Sequence, residues 1–157
     1  MENNINYIQG DATNPNGIGN KIIVHVCNDT GGWGRGFVLA LSKKWKKPEE
    51  DYRTWFKSKV NFELGQVQFV QVEQGTWVAN LIGQHKTMNS HEGLPPIRYE
   101  AILAGLEAVG DFAHKTQATI HMPRIGCGLA GGTWDKVEPL IIKALIEKNI
   151  AVTVYDF

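Results

Sequence analysis

The stretch IHMPRIGCGLAGGTW, residues 120–134, sets four glycines within seven residues between an apolar run and a segment of helical spacing. Glycines let backbone N–H groups approach an anion closely, and a helix beginning at Thr133 and Trp134 adds favourable dipole charge. The stretch therefore predicts a strand, an anion-cradling loop and a helix. Gly126, Gly128 and Gly131 also fit the GxGxxG spacing of a Rossmann dinucleotide fingerprint. That fold expects several further βα units after its fingerprint, whereas one helical stretch and one strand follow here. A second loop, CNDTGGWGRGF (27–37), likewise follows an apolar run and opens a helical segment. Either loop alone reads as a tight turn with close helix packing. Two of them, each between a strand and a helix, predict a pair that clasps a diphosphate from both sides.

Outward from these loops, short runs rich in β-branched residues predict strands at 5–9, 21–26, 66–72, 76–82, 119–122 and 151–157. QVQFVQV alternates, as a half-exposed strand does, whereas IIVHV and TWVANLI are nearly continuous and read as buried. Helical spacing joins Phe37, Leu41 and Trp45, then Ile102, Leu106, Val109 and Ala113, then Val137, Leu140, Ile141 and Leu145. Pro48 is expected to interrupt the first of these, with EEDYRTWF continuing as a second helical piece. Strands alternating with helices predict an α/β class, a three-layer α/β/α sandwich around a mixed, largely buried sheet. Ligand loops then belong at the carboxyl ends of its strands.

The 157 residues suit one domain spanning 1–157. Sixteen basic against sixteen acidic side chains leave no net field for a long nucleic acid. MENNINYIQGD lacks the charged start and apolar core of a signal peptide, and no apolar run approaches the roughly 20 residues that span a bilayer. The expectation is a soluble, cytoplasmic protein without a membrane partner. Cys27 and Cys127 are too far apart for a CxxC pair, and the five histidines at 25, 85, 91, 114 and 121 form no HExxH. Nothing in the sequence asks for a metal or a cofactor.

Two further features lie at predicted strand ends. Asp11 in GDAT can accept from an exocyclic amine such as that of adenine, or can cap a turn or helix. VTVYDF puts Tyr155 and Phe157 on one side of a strand, where a ring could stack on a base; core packing suits Tyr155 equally.

YIQGDAT, VHVCNDTGGWGRGF, WVANLIGQH, IRYEAILAGLEAV, HMPRIGCGLAGG and the terminal VTVYDF together cover nearly the whole chain. In this register they resemble the macrodomains, an ADP-ribose-binding α/β/α family. The likeness is to the compact group holding ADP-ribose 1''-phosphate phosphatases and the terminal ADP-ribose protein glycohydrolase. The resemblance implies that Asp11 contacts the adenine amine, that Ala12 lies against the base and that Phe157 sits beside it. It implies diphosphate and ribose loops at Gly31, Gly32, Trp33, Gly34, Arg35, Gly36 and Phe37, and at Arg124, Ile125, Gly126, Cys127, Gly128, Leu129 and Ala130. Asn28 would hydrogen-bond the distal ribose, and His25 occupies the first position of the family's asparagine pair. The glycohydrolase's lysine nucleophile and partner aspartate match Gln84 and Ala130, which can supply neither role. Lys86 lies two residues on.

Hydrolysis at a distal-ribose phosphate or acetyl ester needs an oriented water, charge stabilisation and acid/base help. His25, Asn28 and Asp29 are the catalytic candidates: His25 for proton transfer, Asn28 for the ribose hydroxyls, Asp29 to orient a water or His25. Each has a plainer reading, His25 as a buried hydrogen-bonding residue and Asp29 as a turn stabiliser. His85 is a further candidate, and Arg35 and Arg124 could pair with phosphate. The expected partner is ADP-ribose or a derivative, free or attached to a protein. The competing expectation is a non-catalytic reader of the same ligand.

Overall fold

The computed structural model describes residues 4–157. Residues 1–3, which begin the N-terminal segment read above, lie outside them. The elements run β1 (Asn6–Gln9), β2 (Lys21–Asn28), α1 (Phe37–Lys44), α2 (Lys47–Ser58), β3 (Val67–Glu73), β4 (Thr76–Gln84), α3 (Tyr99–Thr116), β5 (Thr119–Met122), α4 (Trp134–Ala144) and β6 (Val152–Asp156). Each expected strand forms, and the two continuous apolar runs extend further than expected, to Asn28 and Gln84. The first helical stretch does divide into two pieces, α1 and α2, but the break falls before Pro48 and not at it. Pro48 occupies the first turn of α2, where its missing N–H has no helical acceptor to lose.

One sheet carries all six strands in the order β1-β6-β5-β2-β4-β3. β3 pairs antiparallel with β4 through the Gly75 hairpin, and every other pairing is parallel. From β2 the chain crosses to β4 on one side, while β5 and β6 fill the other, so the strand order reverses between β2 and β5. In open α/β sheets that reversal opens a crevice beyond the carboxyl ends of the strands. Both glycine loops leave those two ends.

Alternate residues of β2 serve the two faces. Ile22 and Val24 pack with Ala79, Leu81, Ile102, Leu106, Val137 and Ile141 beneath α3 and α4. Ile23 and Cys27 pack with Trp33, Leu41, Tyr52 and Val78 beneath α1 and α2. A lone sheet face could not exclude water in this way, and burying each such aliphatic chain contributes about 1.5–3 kcal/mol. No helix among the described residues is long and apolar enough to cross a membrane.

The α3 layer lies close on β4. A Cβ at Gly105 would stand 2.4 Å from Leu81 Cγ, so glycine is required there by the helix-to-sheet approach. Alanine is the better helix former by about 1 kcal/mol. We expect Gly105→Ala nevertheless to destabilise the protein by about 1–3 kcal/mol through overpacking, read as a lower urea midpoint with an unchanged m-value.

Candidate functional site

A cavity of about 620 Å³ opens at the reversal between β2 and β5. Its walls are the two glycine loops. From the first come Asn28, Gly32, Trp33, Gly34, Arg35, Gly36 and Phe37; from the second, Arg124, Ile125, Gly126, Gly128, Leu129 and Ala130. His25 lies in its floor, and Gln84, Thr87 and Met88 close the β4 end. Asp11, Ala12, Asp29, Gly31, Cys127 and Phe157 do not line it. Asp11 and Phe157 stand further along the same sheet edge, after β1 and β6. Those strands are three and two places from β2, about 14 and 10 Å at the usual strand spacing.

The loops are shaped to leave donors open. Among the described residues, the backbone N–H groups of Gly34, Arg35, Gly36, Gly126, Gly128 and Leu129 donate to no protein acceptor, although they border the cavity. Gly36 ends the first loop as the N-cap of α1, with no side chain filling the cap, so α1 turns its first N–H groups toward the cavity. The second loop corrects an expectation. The N–H of Thr133 donates to the Tyr99 hydroxyl (3.2 Å), and neither Thr133 nor Trp134 reaches the cavity. The helix dipole at this site is that of α1, not α4.

Asn28 holds the first loop in shape. Its amide nitrogen donates to Gly32 O (2.9 Å), and its amide oxygen accepts from the N–H groups of Gly32 and Thr30 (3.0 Å each) and from Thr30 Oγ1 (3.0 Å). Behind it, the buried Tyr52 hydroxyl donates to Asn28 O (2.6 Å) and accepts from Gly31 N–H (3.2 Å). Burial pushes that hydroxyl well above its usual range, so it stays a donor. Arg53 adds a bond from Nη1 to Gly31 O (3.1 Å). The α2 supports Tyr52 and Arg53 carry no sequence signal, because their partner loop lies over twenty residues earlier.

His25 is 2% exposed, under the rings of Trp33 and Phe37. Its Nε2 lies 2.5 Å from Asn80 Oδ1, while Asn80 Nδ2 donates to Pro48 O (3.1 Å) and Gln68 Oε1 (3.0 Å). With the asparagine nitrogen already donating twice, Nε2 is the protonated ring nitrogen. Nδ1 is then a bare acceptor, buried and without a protein partner among the described residues. Burial lowers the His25 pKa from 6.5 to about 4, only partly offset by the Asn80 bond, so the ring is neutral at physiological pH. Asp29 does not orient it. That carboxylate bonds His85 Nδ1 (2.7 Å) and accepts from Lys86 N–H (2.8 Å).

Arg124 is likewise engaged elsewhere. Its guanidinium makes two bonds to Asp156 (2.7 and 3.0 Å) and lies against the rings of Tyr7 and Trp134, so only its main chain serves the loop. Arg35, exposed at the rim, is the lining guanidinium that remains for an anion. Asp11 Oδ1 accepts from Thr13 N–H and Oγ1 (both 2.8 Å), the turn-capping role, with Oδ2 outside that turn. Tyr155 belongs to the core: it is buried, bonded to Asn16 N–H (2.9 Å) and His121 Nδ1 (2.7 Å). Phe157 is 98% exposed.

No family model matches the chain. It is similar to a macrodomain protein from Streptomyces coelicolor of known structure, 54% identical over 98% of this chain and 99% of that one, with a TM-score of 0.86. It is also similar to the mouse chromodomain-helicase-DNA-binding protein 1-like, 32% identical over 98% of this chain. The match spans only 18% of that protein's length. An ADP-ribose 1''-phosphate phosphatase of Candida albicans is 26% identical over 85% of this chain and 89% of its own length.

The buried imidazoles make stability depend on acid. His25 and His121 both have pKa values lowered from 6.5 to about 4, chiefly by burial. Between those pH values the unfolded chain takes up protons that the native state refuses, so this contribution is complete above pH 6.5 and lost as pH falls toward 4. For His25 it amounts to about 3 kcal/mol. The urea midpoint, measured at steps from pH 7 to pH 4, should fall steadily, and His25→Asn should shallow that fall.

Proposed function

The chain belongs to the macrodomain family, and from that premise we propose that it binds ADP-ribose across the carboxyl edge of its sheet and hydrolyses a small derivative at the distal ribose. The derivative is the 1''-phosphate or an O-acetyl ester. The observation that carries the reading is the pair of facing loops with unpaired backbone N–H groups around one cavity. Such groups suit a diphosphate, whose charges they meet without side-chain reorganisation.

In this reading the adenine lies toward Asp11, Ala12 and Phe157, the diphosphate between the loops, and the distal ribose at the β2 and β4 ends. Asp11 Oδ2 accepts from the adenine amine and Phe157 covers the base. Arg35 adds the mobile cation. Asn28 keeps a second amide N–H beyond the one given to Gly32, and that hydrogen is available to a ribose hydroxyl. His25 Nδ1 is a neutral acceptor for a second hydroxyl or a bound water. It steers rather than carries a proton, since a ring that titrates near 4 spends little time protonated at neutral pH. A second reading, a non-catalytic reader of free or protein-linked ADP-ribose, is favoured by Gln84 and Ala130 standing where the family's lysine and aspartate would act.

A Cβ at Gly34 or Gly128 would meet no protein atom within 4 Å, and neither residue has a left-handed φ. Gly34→Val and Gly128→Val should therefore fold normally, with a melting temperature close to that of the parent, yet bind ADP-ribose at least tenfold more weakly by calorimetry. A phosphorus NMR time course with ADP-ribose 1''-phosphate separates the readings. Inorganic phosphate appearing above a no-protein control supports the hydrolase, and shifted diphosphate resonances without release support the reader. Parent-like affinity in both valine variants would sink the placement of the ligand.

A further inference from the structure

Gln68, Asn80 and His25 form one row across three strands, on the sheet face that α1 and α2 cover. Asn80 on β4 is the register partner of both Gln68 on β3 and His25 on β2. The row has a direction, and α2 sets it. Gln68 Nε2 donates to Asp51 O (3.0 Å), which turns Gln68 Oε1 toward Asn80. Asn80 Nδ2 gives its two hydrogens to Gln68 Oε1 (3.0 Å) and Pro48 O (3.1 Å), and Asn80 Oδ1 faces His25 Nε2 at 2.5 Å. Main-chain carbonyls only accept, so turning either amide over would set oxygen against oxygen. Asn80 is fully buried, and bulk water does not repair such a mismatch. Cys27 Sγ stands 3.7 Å from His25 Nε2, and burial keeps its thiol uncharged. At the other end of the row, His25 Nδ1 is buried in the cavity floor with no hydrogen-bond partner among the described residues.

We propose that Gln68 and Asn80 are positioning residues that hold His25 in its Nε2–H form, and that the cavity floor is in consequence an acceptor that selects a free hydroxyl of the distal ribose. This rests on ADP-ribose lying in the cavity as proposed above. A neutral imidazole with its proton on Nε2 offers only a lone pair at Nδ1. A ribose hydroxyl meets that lone pair by donating. A phosphoryl group, largely without a proton at neutral pH, brings oxygen lone pairs against it, and so does an acetyl carbonyl. Leaving a buried acceptor so opposed is costly, and both groups are turned away from the floor.

The ribose therefore lies with an unsubstituted hydroxyl on His25 and its substituted carbon directed elsewhere. For the 1''-phosphate, the 2'' or the 3'' hydroxyl takes the floor. An acetyl ester on that same hydroxyl is excluded, and one on its neighbour is admitted. The site thus chooses among ADP-ribose derivatives by where the substituent sits.

The test follows the His25 ring nitrogens by NMR of nitrogen-labelled protein, assigned through the loss of their signals in His25→Leu, beside calorimetric binding. In the free parent protein Nε2 should carry the proton and Nδ1 should be bare. ADP-ribose and ADP-ribose 1''-phosphate should each move the Nδ1 signal without protonating it, and ADP, which lacks the distal ribose, should leave it in place. Either 2''-deoxy or 3''-deoxy ADP-ribose should bind the parent about tenfold or more weakly than ADP-ribose, and His25→Leu should remove that penalty. In Asn80→Leu nothing accepts from Nε2, so the proton should move to Nδ1, where cavity water accepts it. A proton on Nδ1 in the parent, free or bound to either ligand, overturns the inference whether or not the variants fold. So does ADP-ribose binding that leaves Nδ1 unmoved, a deoxy penalty unchanged in His25→Leu, or an Nε2–H retained in Asn80→Leu. A parent protein that does not bind ADP-ribose overturns the reading of the cavity, and this inference with it.

Discussion

The parallel pairing of β2 with β4 on one side and β5 on the other is the constraint from which the site follows. A strand buried on both faces must be apolar along its length, and between Lys21 and Asn28 the run IIVHVC meets that demand with a single imidazole among aliphatic and thiol side chains. Because its two neighbours belong to chain segments that run away in opposite directions, the loops after β2 and β5 must diverge. The gap they leave is the cavity. No residue of the loops creates that gap; the topology does, and the glycines line it with donors.

The gap stays open through hydrogen bonds that reach from the second layer. Asn28 pairs with the Gly32 peptide on both its donor and acceptor sides, much as a neighbouring strand would. Tyr52 bonds to the backbone at both ends of the same turn. A loop fixed by its own side chain and by a buried hydroxyl loses little further freedom when an anion arrives, which is the basis of preorganised binding. Arg124 likewise spends its guanidinium on Asp156, between two aromatic rings, and leaves only its main chain at the cavity. It pins the second loop to the end of β6.

The two imidazoles near the site differ because their surroundings differ. His25 lies in an apolar layer with a neutral amide as its partner, so burial dominates and the ring refuses a proton. His85 stands just beyond the end of β4, partly exposed, with a carboxylate on one ring nitrogen. The first environment makes a fixed, neutral acceptor; the second ties the ring to a carboxylate at the cavity's edge.

By itself the sequence determined the strands and helices, the class of fold and the two glycine loops that wall the cavity, because each depends on patterns within a dozen neighbours: alternation, helical spacing, glycine clusters after apolar runs. Asp29, Arg124 and His25 were visible as chemistry, but their partners were not. Asp29 meets His85 56 residues away, His25 meets Asn80 55 away and Arg124 meets Asp156 32 away. Those pairings are set by strand register, by one skipped residue at Asn28 and by which side chains share a sheet face. They exist only once the sheet has formed, and so the tertiary structure alone decided which of the visible groups face the cavity and which are held by another side chain.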